Sequence, residues 1–522
     1  MFRVSALCVT LLTGISALAD TLTVTTADGA LRGAWTDEAR QIRAFRGIPY
    51  ALPPTGERRW APPEQVSPWQ NTRPAERFRA ACPQHEARDA FVWSRGDFEA
   101  DEDCLYLNVW SPAGGDQPKP VMVWFHGGAH TTGYAHADIF EGTELAAHDV
   151  VLVTVNYRLG ALGFLAHPAL GANSGNYGLM DKVAALEWVQ RNIAAFGGDA
   201  GNVTIFGQSA GSQSVCALMT APSARGLFSK AIGQSAACVL PSGEGDPAGL
   251  ERGAALASAA LGSRPVTAEA LRALPVQRVL EAELASNWAA RSRITVDGAF
   301  LREHPSVTFA EGRQAPVPLL VGSLANEGEQ LIPLMEGLTL EQLTARLNRM
   351  FGAQGQQVLH AYADQLERSP AHLLREVLAD QFFALAMQTW AHLQTRIGQP
   401  SYLYFMSHVP PAFKLYDPAD PHLNLPGGPR SGGAYHSGDL AFVFGNTRTI
   451  GTDMNAADHA LSASMTKYWT QFARTGNPNS EGAPAWTPYD AERKNTLVLD
   501  DPINMVDGVR SSKLQLIGQQ PR

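Results

Sequence analysis

The sequence predicts an α/β fold with a central, mainly parallel sheet. Short runs of consecutive apolar residues, such as 121–125, 150–155 and 203–206, are typical of strands buried on both faces. Helical patterns follow several of these runs, and an alternation of strands and helices favours parallel pairing. Residues 21–50 begin instead with alternating Thr and Val, which predicts an antiparallel hairpin at the N-terminus.

The elements are predicted in the following order. Residues 51–100 are rich in Pro, Arg and aromatic residues and predict long surface loops. Strands are predicted over 105–110, 121–125, 150–155, 203–206, 229–234, 317–322, 401–405 and, as the last one, 495–499. Helices are predicted over 176–195 and 455–474, and a third helix is predicted to start at residue 212. Gly197 is predicted to be the C-cap of the first of these helices. The helical patterns at 240–310 and 337–398 are interpreted as insertions that cover one end of the sheet.

The first 19 residues have the features of a cleaved leader. A basic start, Met1-Phe2-Arg3, precedes a mostly apolar run over 4–15, and Ala17-Leu18-Ala19 supplies an A-x-A cleavage site. This run is too short to span a membrane as a mature helix. We therefore expect cleavage after Ala19 and export to the periplasm or the medium. Residues 20–522 are expected to form one domain, because no linker, repeat or charge block divides them.

Charge and cysteine content restrict the partners and the compartment. Loss of Arg3 with the leader changes the net charge from −9 to −10, and an acidic surface argues against nucleic acid and anionic membranes as partners. Export permits disulfides. Cys82 and Cys104 flank a polar loop and are predicted to pair, which would stabilise the fold by about 3 kcal/mol. Cys216 and Cys238 are interpreted as small buried hydrophobic residues.

The stretch Gly207-Gln208-Ser209-Ala210-Gly211 lies between a predicted strand and a predicted helix. A G-x-S-x-G sequence in this context is the nucleophile elbow of α/β-hydrolases, a strained turn that holds the serine Oγ above the sheet. The Ala210 N–H can then donate to an oxyanion. Because so short a pattern also occurs by chance, an acid, a base and a second oxyanion donor are required elsewhere.

The acid and the base should follow the serine in that order. Glu327 comes directly after the strand at 317–322 and precedes a glycine, so we prefer it to its neighbour Glu329. The histidines that qualify by order are His360, His372, His392, His408, His422, His436 and His459. We select His436, because the small residues of its loop, 432–440, can bring an imidazole close to a serine.

A second oxyanion donor is predicted where the strand at 121–125 runs into His126-Gly127-Gly128-Ala129-His130. A loop of small residues can direct several N–H groups at one point. The alternative is a tight turn whose glycines only supply positive φ. No Cys or carboxylate cluster accompanies the two histidines, so we expect neither a metal nor another cofactor. These groups together predict nucleophilic attack on a small-molecule ester.

The chain resembles the type-B carboxylesterase family, the cholinesterase and carboxylesterase branch of the α/β-hydrolases. The matching stretches are 45–50, 102–109, 124–128, 156–158, 176–181, 196–199, 207–211, 326–328, 432–440 and 472–479. The resemblance implies a triad of Ser209, Glu327 and His436. It further implies oxyanion donors at Gly128, Ala129 and Ala210, the Cys82–Cys104 disulfide, and a serine at Ser235 that supports the triad.

Two departures from the family pattern bear on specificity. The residue before the nucleophile is Gln208 instead of the usual Glu, which weakens the case for a cationic substrate, and Ala129 stands where the family has Gly. The resemblance also implies a gorge, whose mouth Phe91, Trp93 and Phe98 would line unless they pack on the body of the protein. We therefore expect an exported serine carboxylesterase for neutral esters.

The alternatives are a lipase or amidase of the same fold, or a binding or adhesion protein without activity. A lipase would need a large apolar lid, and no stretch is typical of one. The intact triad argues against a binding protein. The acyl group, the alcohol group and the oligomeric state do not follow from the sequence.

Overall fold

The structure is a computed structural model, and it describes residues 22–85, 98–115, 117–240, 246–288, 294–329, 331–413, 427–448 and 454–518. Among these residues, eleven strands form one mixed sheet, and three short strands form a small second sheet. The strand pairs in the middle of the mixed sheet are parallel, and the strand pairs towards both of its edges are antiparallel. This confirms the predicted α/β fold.

The strands have the bounds β1 Thr23–Thr26, β2 Gly29–Arg32, β3 Ala34–Asp37, β4 Ile42–Pro49, β5 Arg73–Pro74, β6 Tyr106–Pro112, β7 Lys119–Phe125, β8 Val151–Val155, β9 Gly198–Gln208, β10 Lys230–Gln234, β11 Leu319–Leu324, β12 Ser401–Met406, β13 Asn495–Leu499 and β14 Asn504–Asp507. The strand order in the mixed sheet is β14-β13-β12-β11-β10-β9-β7-β8-β6-β4-β3, and β1, β2 and β5 form the small second sheet. The predicted N-terminal hairpin is present as β1 and β2, which pair antiparallel.

The helices have the bounds α1 Thr143–Ala146, α2 Gly160–Phe164, α3 Tyr177–Asn192, α4 Ala210–Leu218, α5 Asp246–Leu261, α6 Ala268–Arg272, α7 Val276–Ala285, α8 Pro305–Ala310, α9 Leu340–Phe351, α10 Gly355–Ala361, α11 Pro370–Ala379, α12 Leu385–Arg396, α13 Leu440–Phe444, α14 Ala456–Thr475 and α15 Ser511–Gly518. A π-helical turn, Asp380–Ala384, joins α11 to α12. None of the described helices is long and apolar enough to cross a membrane.

The apolar runs are buried on both faces of the sheet, as predicted. Successive residues of β7 alternate between two cores: Val121, Val123 and Phe125 pack in one, whereas Met122 and Trp124 pack in the other. Strands covered on both sides need no polar face, which explains why their sequences are continuously apolar.

The pairing register aligns the carboxyl ends of the central strands. Phe125 pairs with Gly207, and Gln208 pairs with Gln234, the last residue of β10. Loops that leave these strands therefore emerge side by side, and this edge of an α/β sheet is where ligands bind.

The C-terminal prediction is wrong in one respect. Strand β13 is not the last, because β14 pairs with it antiparallel and α15 follows. Strand β14 is four residues long and mostly exposed, so it lacks the apolar run by which the other strands were recognised.

The described residues contain two disulfides. The predicted Cys82–Cys104 bond is confirmed, with Cα atoms 5.0 Å apart. The interpretation of Cys216 and Cys238 as separate buried hydrophobic residues is wrong, since they are joined by a second disulfide with a Cα separation of 5.7 Å. Cys216 lies on α4 after β9, and Cys238 lies just beyond the neighbouring strand β10. The parallel pairing of β9 with β10 brings the two cysteines together.

Candidate active site

Ser209 occupies a strained turn between β9 and α4. Its φ of 55° and ψ of −124° lie outside the regions that most residues adopt. A Cβ on Gly207 would lie 2.5 Å from the Gly211 carbonyl carbon, and one on Gly211 would lie 1.9 Å from the Phe125 oxygen. Both positions therefore require glycine, which explains the G-x-S-x-G pattern in steric terms. The Ser209 N–H donates to the Gln234 oxygen at 2.8 Å, which ties the turn to β10.

Glu327 and His436, which lie 109 residues apart in sequence, are hydrogen-bonded to each other. The imidazole Nδ1 donates to Glu327 Oε2 at 2.6 Å, while Glu327 Oε1 accepts from the Leu324 N–H at 2.8 Å. Both side chains are buried. A carboxylate in this place fixes the imidazole tautomer, so that Nε2 is left as a base.

The loops of the acid and the base are joined through their backbones. The Asn326 N–H donates to the Ala434 oxygen at 2.9 Å, and the Ala434 N–H donates to Asn326 Oδ1 at 3.0 Å. Gly433, with φ of 66°, has no room for a Cβ, which would lie 2.4 Å from Asn326 Oδ1. The small residues by which the histidine loop was recognised thus allow this close approach.

The Nε2 atom of His436 lies 3.1 Å from Gln208 Nε2, next to the candidate nucleophile. With Nδ1 protonated, Nε2 accepts this hydrogen bond. The structure therefore directs the basic nitrogen of the Glu327–His436 pair towards the elbow.

The loop after β7 packs against the elbow. A Cβ on Gly127 would lie 3.1 Å from Ser209 Cβ, and Gly128 has a φ of 105°. Ala129 has a φ of 52°, so this alanine adopts the left-handed conformation that glycine usually occupies. Among the described residues, no hydrogen bond occupies the N–H groups of Gly128, Ala129 or Ala210. The three groups predicted as oxyanion donors are therefore not used by the fold.

Residues 20–517 match the family model described as "Carboxylesterase family". The chain belongs to the carboxylesterase family. It is 34% identical to the para-nitrobenzyl esterase of Bacillus subtilis (strain 168) over 513 residues, which cover 94% of this chain and 97% of that one. It is also 34% identical to carboxylesterase 4A of Bos taurus over 509 residues, with 89% of each chain covered.

Solved structures of esterases have the same fold. A para-nitrobenzyl esterase structure aligns with a TM-score of 0.80 at 31% identity and covers 95% of this chain and all of that one. A carboxylesterase of Geobacillus stearothermophilus aligns with a TM-score of 0.79 at 32% identity, with 95% and 99% covered. The protein is therefore a serine carboxylic ester hydrolase, and its activity is ester hydrolysis.

In this carboxylesterase, Asp439 is a second buried carboxyl group near the Glu327–His436 pair. Its Oδ2 accepts from Gln234 Nε2 at 2.8 Å and from the Tyr404 hydroxyl at 3.0 Å. Burial, with a smaller contribution from the nearby charge of Glu327, raises the pKa of Asp439 to about 6. Sequence analysis missed Asp439, because a carboxylate three residues after a histidine has no distinctive pattern.

Replacing Asp439 by Asn is expected to make stability less dependent on pH. The raised pKa means that the folded state binds this proton more tightly than the unfolded state. The stabilisation that this bound proton provides is therefore complete below the ordinary Asp pKa, and it is lost as the pH rises through about 6. Wild type should lose about 1.5 kcal/mol more than Asp439→Asn between about pH 5 and pH 8. Denaturant unfolding at both pH values measures this, and equal losses would contradict it.

Sequence analysis also missed the π-helical turn Asp380–Ala384, which contacts His436. The ring of Phe383 lies 4.9 Å from the imidazole of His436, centroid to centroid. Arg510 donates to the first residue of this turn and to the Ala325 oxygen, at 2.8 Å, in the loop that carries the acid. Single π-helical turns are often found at functional sites, and this one contacts His436 directly and is joined through Arg510 to the loop that carries Glu327.

The other candidate acid and histidines lie elsewhere. Glu329 pairs with Arg368 at 2.8 Å and with Arg375. His408 hydrogen-bonds to Asp458 at 2.6 Å. His360, His372, His392 and His459 lie on helices, as predicted, and His422 lies outside the described residues.

Two further predictions concern the surroundings of the site. Ser235 has a φ of 55°, and its buried Oγ makes no hydrogen bond to any described residue, so its supporting role stays a prediction. Phe98 packs 4.9 Å from the Tyr134 ring, as expected of an aromatic on the body of the protein. Phe91 and Trp93, like the leader at 1–19, lie outside the described residues.

Proposed function

We propose that this carboxylesterase hydrolyses neutral esters through an acyl-enzyme on Ser209, with His436 as base and Glu327 as its partner. The observation that carries the proposal is the 2.6 Å bond from His436 Nδ1 to Glu327, with Nε2 directed at the residue before Ser209. A bare serine is a weak nucleophile, and a base oriented by a carboxylate is what activates it.

The reaction has two halves. Ser209 Oγ attacks the ester carbonyl while its proton moves to His436 Nε2, and the carbonyl electrons move to oxygen. The imidazolium then protonates the leaving alcohol as the acyl-enzyme forms. Water, deprotonated by the same nitrogen, then attacks the acyl carbonyl, and the imidazolium returns this proton to Ser209 Oγ as the acid is released. Glu327 stabilises the imidazolium in both halves.

The oxyanion is proposed to bind the N–H groups of Gly128, Ala129 and Ala210. This assignment of the oxyanion donors is supported by the packing of the loop after β7 against the elbow and by the left-handed conformation of Ala129. Donors fixed by the fold stabilise the negative oxygen without reorganising, and each contributes about 3 kcal/mol to transition-state stabilisation.

The test is covalent labelling. Wild type should hydrolyse p-nitrophenyl acetate, react with one equivalent of a fluorophosphonate, and yield a labelled peptide that maps to Ser209. A label on another residue would refute the assignment of the nucleophile. A folded protein that neither turns over nor labels would refute the proposed function.

Preference for neutral esters is proposed from Gln208. This amide lies 3.1 Å from His436 Nε2, where a glutamate would place a negative charge beside the reacting ester. Gln208→Glu is expected to raise kcat/KM for a choline ester relative to its uncharged analogue by about tenfold, since a carboxylate near a cation attracts it strongly at a partly desolvated site.

The matched control is Gln213→Glu, which adds the same charge on α4, five residues after Gln208. Steady-state kinetics on the paired esters measure the ratio for both variants. An unchanged ratio in Gln208→Glu, or an equal rise in both variants, would show that Gln208 does not set charge preference.

Export is proposed from the leader features of residues 1–19, with cleavage after Ala19. The two disulfides, Cys82–Cys104 and Cys216–Cys238, are compatible with an oxidising compartment. Residues 20–522 are proposed to be the mature domain.

A further inference from the structure

A lysine is buried beneath the loop after β7. Lys182 lies on α3, is fully inaccessible to solvent, and places its Nζ 3.0 Å from the centre of the Tyr157 ring. Its Nζ also donates to the Gly178 oxygen at 3.2 Å. A cation at this distance from an aromatic face is attracted by the ring quadrupole, and the attraction is stronger when both are desolvated.

No carboxylate of the described residues is ion-paired with Lys182. The adjacent Asp181 is bound to Arg158, through Nε at 2.9 Å and Nη2 at 2.7 Å. Burial lowers the pKa of Lys182 well below its usual value, and the charge of Asp181 opposes this. The closest partners of the Lys182 Nζ among the described residues are thus the Tyr157 ring and the Gly178 oxygen.

Tyr157 in turn holds His126, the residue that begins the loop. The two rings stack with centroids 4.3 Å apart and an angle of 18°, and the Tyr157 hydroxyl donates to the His126 oxygen at 2.6 Å. Two groups this close to one ring cannot share a face, so Lys182 and His126 lie on opposite sides of Tyr157.

His126 contacts the peptide that carries a proposed oxyanion donor. Its Nδ1 lies 2.8 Å from the Gly127 oxygen. This oxygen and the Gly128 N–H belong to one planar trans peptide and point in opposite directions. A hydrogen bond from Nδ1 to the oxygen therefore also fixes the direction of the Gly128 N–H.

We propose that Lys182 is a positioning residue for the oxyanion hole, acting through Tyr157 and His126 on the Gly127–Gly128 peptide. The inference rests on the proposed function of Ser209 and Gly128. A donor that is misaligned weakens binding of the oxyanion, which exists only after attack, and leaves ester binding unchanged. Loss of the Lys182 Nζ contact with the Tyr157 ring should therefore lower kcat and leave KM nearly constant.

The experiment compares Lys182→Met, which keeps the length of the side chain without its charge, with wild type. The control is Lys230→Met. Lys230 is also buried, but it lies on β10 and donates to Asn202 and to Ser229. The readouts are kcat and KM for p-nitrophenyl acetate and Ki for a trifluoromethyl ketone. The Ser209 Oγ adds to the ketone carbonyl, its proton moves to His436, and a tetrahedral oxyanion forms.

We expect Lys182→Met to lose about tenfold in kcat and in ketone affinity, less than the loss on removal of a whole donor. KM should change by less than about twofold, and Lys230→Met should resemble wild type in all three. Fluorophosphonate titration normalises every rate to active serine. Unchanged kcat and Ki in Lys182→Met would overturn the proposal, as would a rise in KM alone.

If Lys182→Met does not fold, Lys182→Gln and Tyr157→Phe replace it. Tyr157→Phe removes the hydroxyl bond to the His126 oxygen and keeps the ring. A fall in kcat with a matching rise in Ki is expected for both, and wild-type values would overturn the inference. Failure of the proposed function is distinguishable, because wild type itself would then not label at Ser209.

Discussion

Replacing Ser209 by alanine is expected to lower kcat for p-nitrophenyl acetate by about 10⁶-fold and to abolish fluorophosphonate labelling. The reason is that the Glu327–His436 pair has no other nucleophile at the elbow to activate. Residual hydrolysis would come from the oxyanion donors acting on water. Because alanine fits the positive-φ turn no worse than serine, the unfolding temperature should stay close to that of wild type.

The control for this variant is Ser214→Ala, one turn along α4. Ser214 Oγ donates to the Ala210 oxygen of the same helix at 2.8 Å. The Ser214→Ala variant should retain the kcat and the fluorophosphonate labelling of wild type. Substantial turnover by folded Ser209→Ala, or equal losses in both variants, would refute the assignment of the nucleophile.

Replacing Glu327 by glutamine is expected to lower kcat by about 10⁴-fold. The amide oxygen can still accept from the Leu324 N–H, so the loop should keep its shape. The amide nitrogen then faces His436 Nδ1 and donates to it, which moves the imidazole proton to Nε2. A protonated Nε2 cannot take the proton of Ser209.

Glu329→Gln is the matched control, with the same change two residues away. Glu329 is bound to Arg368 and Arg375 rather than to the base. The kcat of Glu329→Gln should stay within about twofold of that of wild type. Steady-state kinetics of both variants, with thermal unfolding as a check, decide between the two carboxylates. Similar losses in both variants would show that the sequence argument chose Glu327 over Glu329 wrongly.

The sequence was sufficient to select candidates for the groups that chemistry requires in a fixed order, and two of these candidates, Glu327 and His436, are hydrogen-bonded in the structure. The elbow glycines were recognisable because any Cβ there meets backbone, as at Gly211 and Phe125. Glu327 was selected by its place after a strand, and His436 by the small residues around it. Each choice depended on local pattern and chain order, which a sequence contains.

Features that depend on contacts between distant segments were not predictable. The Cys216–Cys238 disulfide follows from the pairing of β9 with β10, and neither cysteine has a local signal for it. The π-helical turn that places Phe383 beside His436 has no residue pattern distinct from the helices around it. Asp439 and Lys182 were missed because their importance comes from burial next to particular partners.

The alignment of the carboxyl ends of the central strands has a consequence for chimeras between related esterases. The candidate nucleophile and acid are attached directly to β9 and β11, whereas helices α5–α8 are inserted between β10 and β11. Glu327 is bonded to His436 and to the Leu324 N–H, neither of which lies in this insertion, while the turn between α11 and α12 places Phe383 against the His436 ring. Chimeras that graft 246–310 from another esterase should therefore inherit its substrate range while the hydrolytic groups keep their geometry, and grafts of 340–396 should disturb both.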